Sequence, residues 1–245
     1  MEWAQQIPLL YRGNGYVIID KPAGVLSHPH PRDRESPILL DLLTEQLGIP
    51  VFTVHRLDRM TTGVMVLATD KRSAAHLCDQ FADHRVEKHY LALVRGHTEE
   101  HGEIDAPLPH RTRDTESPAL TRFRTVAQAS LPVAVGRYEQ AWFSLVDAEL
   151  LTGRTHQARR HLHRINHPVL GDLRHGDNDY NRWAIPKYGR YLFLRARSLS
   201  FAAPEDGRQI VARAGLSEVW ERAVAEIFGS IPDELQGQSE ATLSR

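Results

Sequence analysis

The stretch His55-Arg56-Leu57-Asp58-Arg59 sets one carboxylate between two arginines, after an apolar run and before the turn Thr61-Thr62-Gly63. Cations within ~4–6 Å favour the ionised form of a carboxylate. An aspartate in such company is poorly suited to be a general acid and well suited to be a nucleophile or an electrostatic partner. Read locally, a structural salt bridge at a strand end fits the same residues. A second group lies further along: from Thr152 to His167 the chain has four arginines, four histidines and no acid. His156, Arg159, His163 and His167 follow one another at spacings of three or four, which on a helix lines one side. Arg160 and Arg164 fall on the outer side. The net charge of −1 therefore hides a cationic stripe, and it is the local field that meets a phosphate backbone. A merely solvated basic face is the plainer reading.

Other chemistries lack their residues. His163 and His167 stand at i, i+4, but no HExxH glutamate or nearby cysteine completes a ligand set and four arginines would repel a dication, so no metal is expected. There is no P-loop, no GxGxxG and no GxSxG elbow. Cys78 is expected on the apolar face of a helix, as core rather than catalyst. Tyr90 shares one face of the alternating strand "EKHYLALVRG" with Lys88. A strand tyrosine is usually packed core; a lysine beside it points to a strand that lines a cleft.

These side chains need elements to hold them. "GYVIIDKPAG" reads as a strand ending in a turn, and Ser36-Pro37 as the N-cap and first residue of a helix that Gly48 ends. Two strands flank Asp58. A helix over about Lys71–His84 follows, with Ala74, Ala75, Leu77, Cys78 and Phe81 on its apolar side. Residues 97–120 read as a loop or small peripheral element, and "TRFRTVAQ" and "YEQAWFSLVDAELL" as strands. Thr152-Gly153 turns the chain into the basic helix, whose core face is Ala158, Leu162 and Ile165. A late strand, "RYLFLRARSLSF", precedes a last helix capped by Ser217. The pattern is α+β: a mixed, mainly antiparallel sheet with flanking helices. Residues 1–229 read as one domain and 230–245 as a polar, flexible tail. With a single cysteine, no apolar run near the ~18–20 residues of a membrane span and no basic leader read at its start, the chain is expected to be a soluble, cytoplasmic protein.

"HRLDRMTTGVMVLATD" closely resembles the signature of the RluA family of pseudouridine synthases. "IIDKPAGVLSH", "KHYLALVRG", "LLTGRTHQARRHL" and "HPVLGD" resemble further motifs of that family, in the family's order. The resemblance implies a long, bent sheet with a central catalytic cleft, no cofactor and no metal, and RNA as partner. It implies Asp58 as the nucleophile that attacks the target uridine. Arg56 would hold the space of the flipped base, Tyr90 would stack on the uracil, and Arg159 would form the ion pair that orients Asp58. His55, Arg59, Thr61, Lys88, Arg154, His156, Gln157 and Arg160, in or beside the same motifs, are expected to bind substrate. The motifs begin almost at the start of the chain, so no S4-type RNA-binding module is expected. The stretch from Leu131 to Trp183 is especially similar to compact members that modify uridine 65 of tRNA, with His175 where many members carry tyrosine. Thr62 stands where serine is usual, and Arg195 where histidine is frequent. A monomer is plausible. The alternatives are a synthase of the same type acting on ribosomal RNA or several RNAs, and a non-catalytic RNA-binding or RNA-folding chaperone on the same scaffold.

Overall fold

The computed structural model describes residues 6–31, 33–110, 115–237 and 239–243. Four residues of the peripheral segment expected at 97–120, and three of the tail (238, 244 and 245), lie outside that description. The first part of the chain runs β1 (Leu9–Arg12), β2 (Tyr16–Lys21), α1 (Leu39–Leu47), β3 (Phe52–Thr53), β4 (Thr62–Ala68) and α2 (Lys71–Ala82). The middle continues with β5 (Glu87–Arg95), β6 (His101–Asp105), β7 (Leu108–Pro109), β8 (Glu116–Ser117), β9 (Leu120–Leu131), β10 (Ala141–Leu150), α3 (Gln157–Arg164) and α4 (Asn178–Tyr188). The last part has β11 (Leu194–Ala202), β12 (Gln209–Arg213), α5 (Glu218–Phe228), a 3-10 turn at Asp233–Leu235 and β13 (Glu240–Leu243). The architecture is α+β, with mixed, mostly antiparallel strands and five helices among the described residues.

Two compact units divide these elements. The first holds residues 1–87, 196–214 and 238–245. Here β2 pairs antiparallel with both β1 and β4, β3 pairs with β4, and β12 pairs with both β11 and β13. Every residue of β4 is buried, as its near-continuous apolar run demands. Its core gathers Tyr16, Ile18, Val64, Val66, Leu77, Leu199, Phe201 and Ile210. The second unit holds 88–195 and 215–237. In it β10 lies between β5 and β9, β6 pairs with β9, and β7–β8 form a small separate hairpin, all antiparallel. Leu93, Phe143, Leu145, Tyr188, Phe193 and Trp220 are among the residues of its core.

The helices differ from expectation at their edges. Ser36 does not cap α1; its backbone N–H and hydroxyl donate to Asp33, and the helix starts three residues later with Ile38 as N-cap and no side-chain capping bond. α2 is capped by Asp70, which accepts the Ser73 N–H at 2.8 Å, and it buries Ser73, Leu77 and Gln80. Ala75 and Cys78 point outward, so Cys78 is an exposed thiol and not core. Gln80 takes the inner place because its amide exchanges two hydrogen bonds with the Ala202 backbone. α3 begins at Gln157, after His156, and ends at Arg164, so the expected four-residue stripe has only Arg159 and His163 on the helix. α4, hidden in the sequence by its polar start and by Pro186, is capped by Asp177, which accepts the Asp179 and Tyr180 N–H groups.

Candidate active site

In the first unit, Asp58 sits on the loop between β3 and β4, and three parts of "IIDKPAGVLSH" clamp that loop through its backbone. The Ser27 hydroxyl donates to Leu57 C=O at 2.7 Å and accepts the Leu57 N–H at 3.2 Å. The Gly24 N–H donates to Arg59 C=O at 2.9 Å. Lys21, wholly buried at the end of β2, donates through Nζ to the carbonyls of Pro22, Arg59 and Thr61 at 3.0, 3.1 and 3.1 Å. Burial pushes Lys21 down to about 7, while the Asp58 charge pulls the other way. A lysine nitrogen has three N–H bonds only when protonated, so three acceptors around it are the geometry of an ammonium. The chain on both sides of Asp58 is thus fixed through main-chain bonds.

Its sequence neighbours divide the expected roles. Arg59 turns to Asp33, at 3.3 Å, and to the Ser36 hydroxyl, at 3.0 Å. Arg56 is exposed and in no ion pair among the described residues. His55 stacks on Phe81 of α2 at 4.4 Å, and its Nε2 accepts the Val66 N–H, so this ring holds the loop to the scaffold. Thr61 is buried, its N–H closing a turn onto Asp58 C=O at 3.0 Å. Gly63, the second residue of β4, has φ +109°, and a Cβ there would come within 2.2 Å of Ala196 C=O. The chain can return along the sheet there only because that residue has no side chain.

In the second unit, Lys88 and Tyr90 lie on β5, Lys88 buried and Tyr90 half-buried opposite Ala148 of β10. Burial pushes Lys88 down, against the nearby Glu149 charge. At α3, Gln157 is committed to the scaffold: its Oε1 accepts from the Thr152 hydroxyl and the Arg154 N–H, and its Nε2 donates to Leu120 C=O and to the Thr121 hydroxyl. Exposed Arg154 donates to Pro118 C=O and Arg160 to Pro109 C=O, bracketing the β7–β8 hairpin. His161, which the spacing did not single out, is fully buried between the Thr121 hydroxyl and Ala106 C=O.

Two of the expected residues meet one short turn. Arg159 Nε and Nη2 reach the two oxygens of Asp172, in "HPVLGD", at 2.6 and 2.8 Å. Burial works to raise the Asp172 carboxyl; the Arg159 hydrogen bonds and charge, and the His175 and Arg174 N–H groups, outweigh it and hold it below the usual carboxylate range. His156, in the left-handed region at φ 54°, places Nδ1 at 2.9 Å from Nε2 of His175. Burial first, then the charges of Arg159, His156 and Arg174 push His175 down to about 4 against the pull of Asp172, so it is neutral at pH 7. Among the described residues no three histidine, cysteine, aspartate or glutamate side chains gather as a metal ion would require.

The family model described as RNA pseudouridylate synthase matches residues 15–164, more than half of the chain and parts of both units. This chain belongs to the RNA pseudouridylate synthase family. The synthase is also 36% identical to tRNA pseudouridine synthase C of Salmonella typhimurium, over 93% of each chain. It is 37% identical to the protein of the same name from Vibrio cholerae, over 91% of this chain and 96% of that one. Among solved structures, human RNA Pseudouridylate Synthase Domain Containing 1 superposes with a TM-score of 0.68 at 26% identity, over 85% of the synthase and 84% of the human chain.

Lys21, Asp172 and His161 are not singled out by the sequence. Lys21 carries a signal, a cation ending a strand that begins with the apolar run Tyr16–Ile19. Asp172 carries only its place in a motif, and His161 is one histidine among several.

Proposed function

We propose that this synthase isomerises a uridine of tRNA, uridine 65, to pseudouridine, with Asp58 as the nucleophile. What carries the substrate is the likeness to enzymes named for tRNA over more than nine-tenths of the chain. What supports Asp58 is its loop, held through Leu57, Arg59 and Thr61 by buried Ser27 and Lys21 while Asp58 itself is left half-exposed. The reaction breaks N1–C1′, turns the uracil and forms C5–C1′; the C5 hydrogen leaves as a proton, N1 takes one up, and there is no net gain or loss of atoms or electrons. One carboxylate, held in place, suffices. In this reading Arg159 orients Asp58, Tyr90 stacks on the uracil and Arg56 occupies the space of the base, which must leave its stack at a cost of a few kcal/mol.

Tritium release from [5-³H]uridine-labelled tRNA and ribosomal RNA, with wild type and Asp58→Ala, tests this directly. Release from tRNA alone, abolished in the variant while RNA binding persists, is the expected result. Release from ribosomal RNA alone overturns the substrate. Wild-type release by Asp58→Ala overturns the nucleophile. Mapping the product to one position decides uridine 65.

A further inference from the structure

The Asp172–Arg159 pair has a feature that a simple salt bridge does not need: the backbone around the carboxylate holds it in place independently of the arginine. Asp172 Oδ1 also accepts the N–H groups of Arg174 and His175, at 2.9 and 3.0 Å. The Asp172 carbonyl accepts Asn181 Nδ2 and the Gly176 N–H, both at 2.9 Å, and Asn181 Oδ1 accepts the Gly171 N–H at 2.8 Å. Asn181 belongs to α4, whose capping Asp177 is in turn gripped by Arg95 of β5. Both glycines of the turn are obligatory. A Cβ at Gly171, where φ is +76°, would lie 1.8 Å from Tyr191 C=O, and one at Gly176 would lie 2.1 Å from Asp172 C=O.

The rigid partner is therefore the aspartate, and the long, jointed arginine takes its position from it. Two of the five guanidinium N–H bonds go to Asp172 along the Nε–Nη2 edge. A planar fork held along one edge has its whole plane fixed, Nη1 included. A buried ion pair is a weak source of stability, because desolvation consumes most of the attraction. Orientation is what the arrangement delivers.

We propose that Asp172 is a positioning residue of the isomerisation: it fixes the plane of the Arg159 guanidinium, so that Arg159 meets its reacting partner without reorganisation. This rests on the role given to Arg159 above. Misplacement by about 1 Å in such a group can cost roughly 100-fold in rate.

The test is single-turnover pseudouridine formation on an unmodified tRNA transcript by wild type, Asp172→Asn, Asp172→Glu, Arg159→Ala and Asp172→Asn/Arg159→Ala, with RNA affinity and thermal melting measured on each. Asparagine keeps an oxygen for the two turn N–H groups but loses the bidentate grip, so Asp172→Asn is expected to slow the step roughly 10–100-fold while RNA affinity stays within about threefold. In the Arg159→Ala background the same change is expected to cost nothing further. Asp172→Glu keeps the charge but displaces the fork by a methylene; should Asp172→Asn fail to fold, this folded, like-charged variant carries the test, and it too is expected to be slow. Wild-type rates in whichever of these folds, or losses that multiply in the double variant, overturn the inference. A wild-type rate in Arg159→Ala overturns it together with the role of Arg159. A wild type that forms no pseudouridine overturns the proposed function itself, a result separate from either.

Discussion

Three buried or half-buried side chains, Lys21, Asp172 and His175, each hydrogen-bond a residue of the recognisable motifs: Arg59 and Thr61, Arg159, and His156. Lys21→Met removes the ammonium that reaches the carbonyls of Pro22, Arg59 and Thr61 at once. A fully buried acceptor left unmade costs about 1–3 kcal/mol; the Thr61 carbonyl is buried and the other two are only partly so, and the variant is expected to lose about 2–4 kcal/mol in a urea titration. The loss of pseudouridine formation should exceed the loss in RNA affinity, because the loop that loosens is the one carrying Asp58. His175 makes a pH prediction. Its folded value, about 4, lies below the ordinary 6.5, so between those values the unfolded chain binds more protons than the folded one. This group's contribution to stability is present above about 6.5 and lost as pH falls toward about 4. His175→Gln, compared with wild type by urea midpoints at pH 7 and pH 4.5, should show a smaller fall; equal falls would mean that His175 does not titrate in this way. The candidate nucleophile is legible from its motif. The cation supporting its loop is not, because Arg56 and Arg59 look like its partners in sequence, whereas Arg59 is paired with Asp33 and a lysine from β2 holds the loop's carbonyls.

Among the elements, those with a strong period or a continuous apolar run are legible: β2, β4, β5, β10 and α5 stand where hydrophobic patterning puts them. Failures come where a polar side chain has two possible clients. Ser36 looks like a cap but bonds Asp33, and Gln80 looks like surface but serves β11. The basic pattern overruns its helix at both ends, because arginines and histidines continue from His156 to His167 while the helical backbone does not: His156 is left-handed and His167 bonds Arg95 C=O. Glycines give the sharpest test at this scale. Gly63→Ala puts a methyl 2.2 Å from the Ala196 carbonyl at a φ of +109°, and it is expected to cost more than about 2 kcal/mol. Gly153, also in a recognised motif, has nothing within 4 Å of the place its Cβ would take, so Gly153→Ala should be within about 0.5 kcal/mol of wild type in a urea titration. A Gly63→Ala variant as stable as the Gly153→Ala one would show that β4 can start elsewhere.

Over the whole molecule, charge is sorted by pairing more than by count. The formal net charge of −1 gives no hint of an RNA partner, and many arginines are spent on carboxylates: Arg59, Arg95, Arg122, Arg124, Arg159, Arg182, Arg208 and Arg213 all form ion pairs. Arg56, Arg164 and Arg174 are exposed and form none among the described residues. Cations outside protein ion pairs are the ones that can release counterions from a phosphate backbone, each contributing about 0.7–0.9 to the slope of log K against log salt. Affinity for tRNA should therefore fall steeply between about 50 and 200 mM salt despite the near-neutral total. Arg164→Glu, on the outer side of α3, should weaken binding to every RNA tested by a similar factor and flatten that slope by about one, with the single-turnover rate at saturating RNA unchanged. Fluorescence titrations across that salt range decide it. An unchanged slope would take Arg164 out of the phosphate contact, and a loss confined to one RNA would make it a reader of sequence or shape instead.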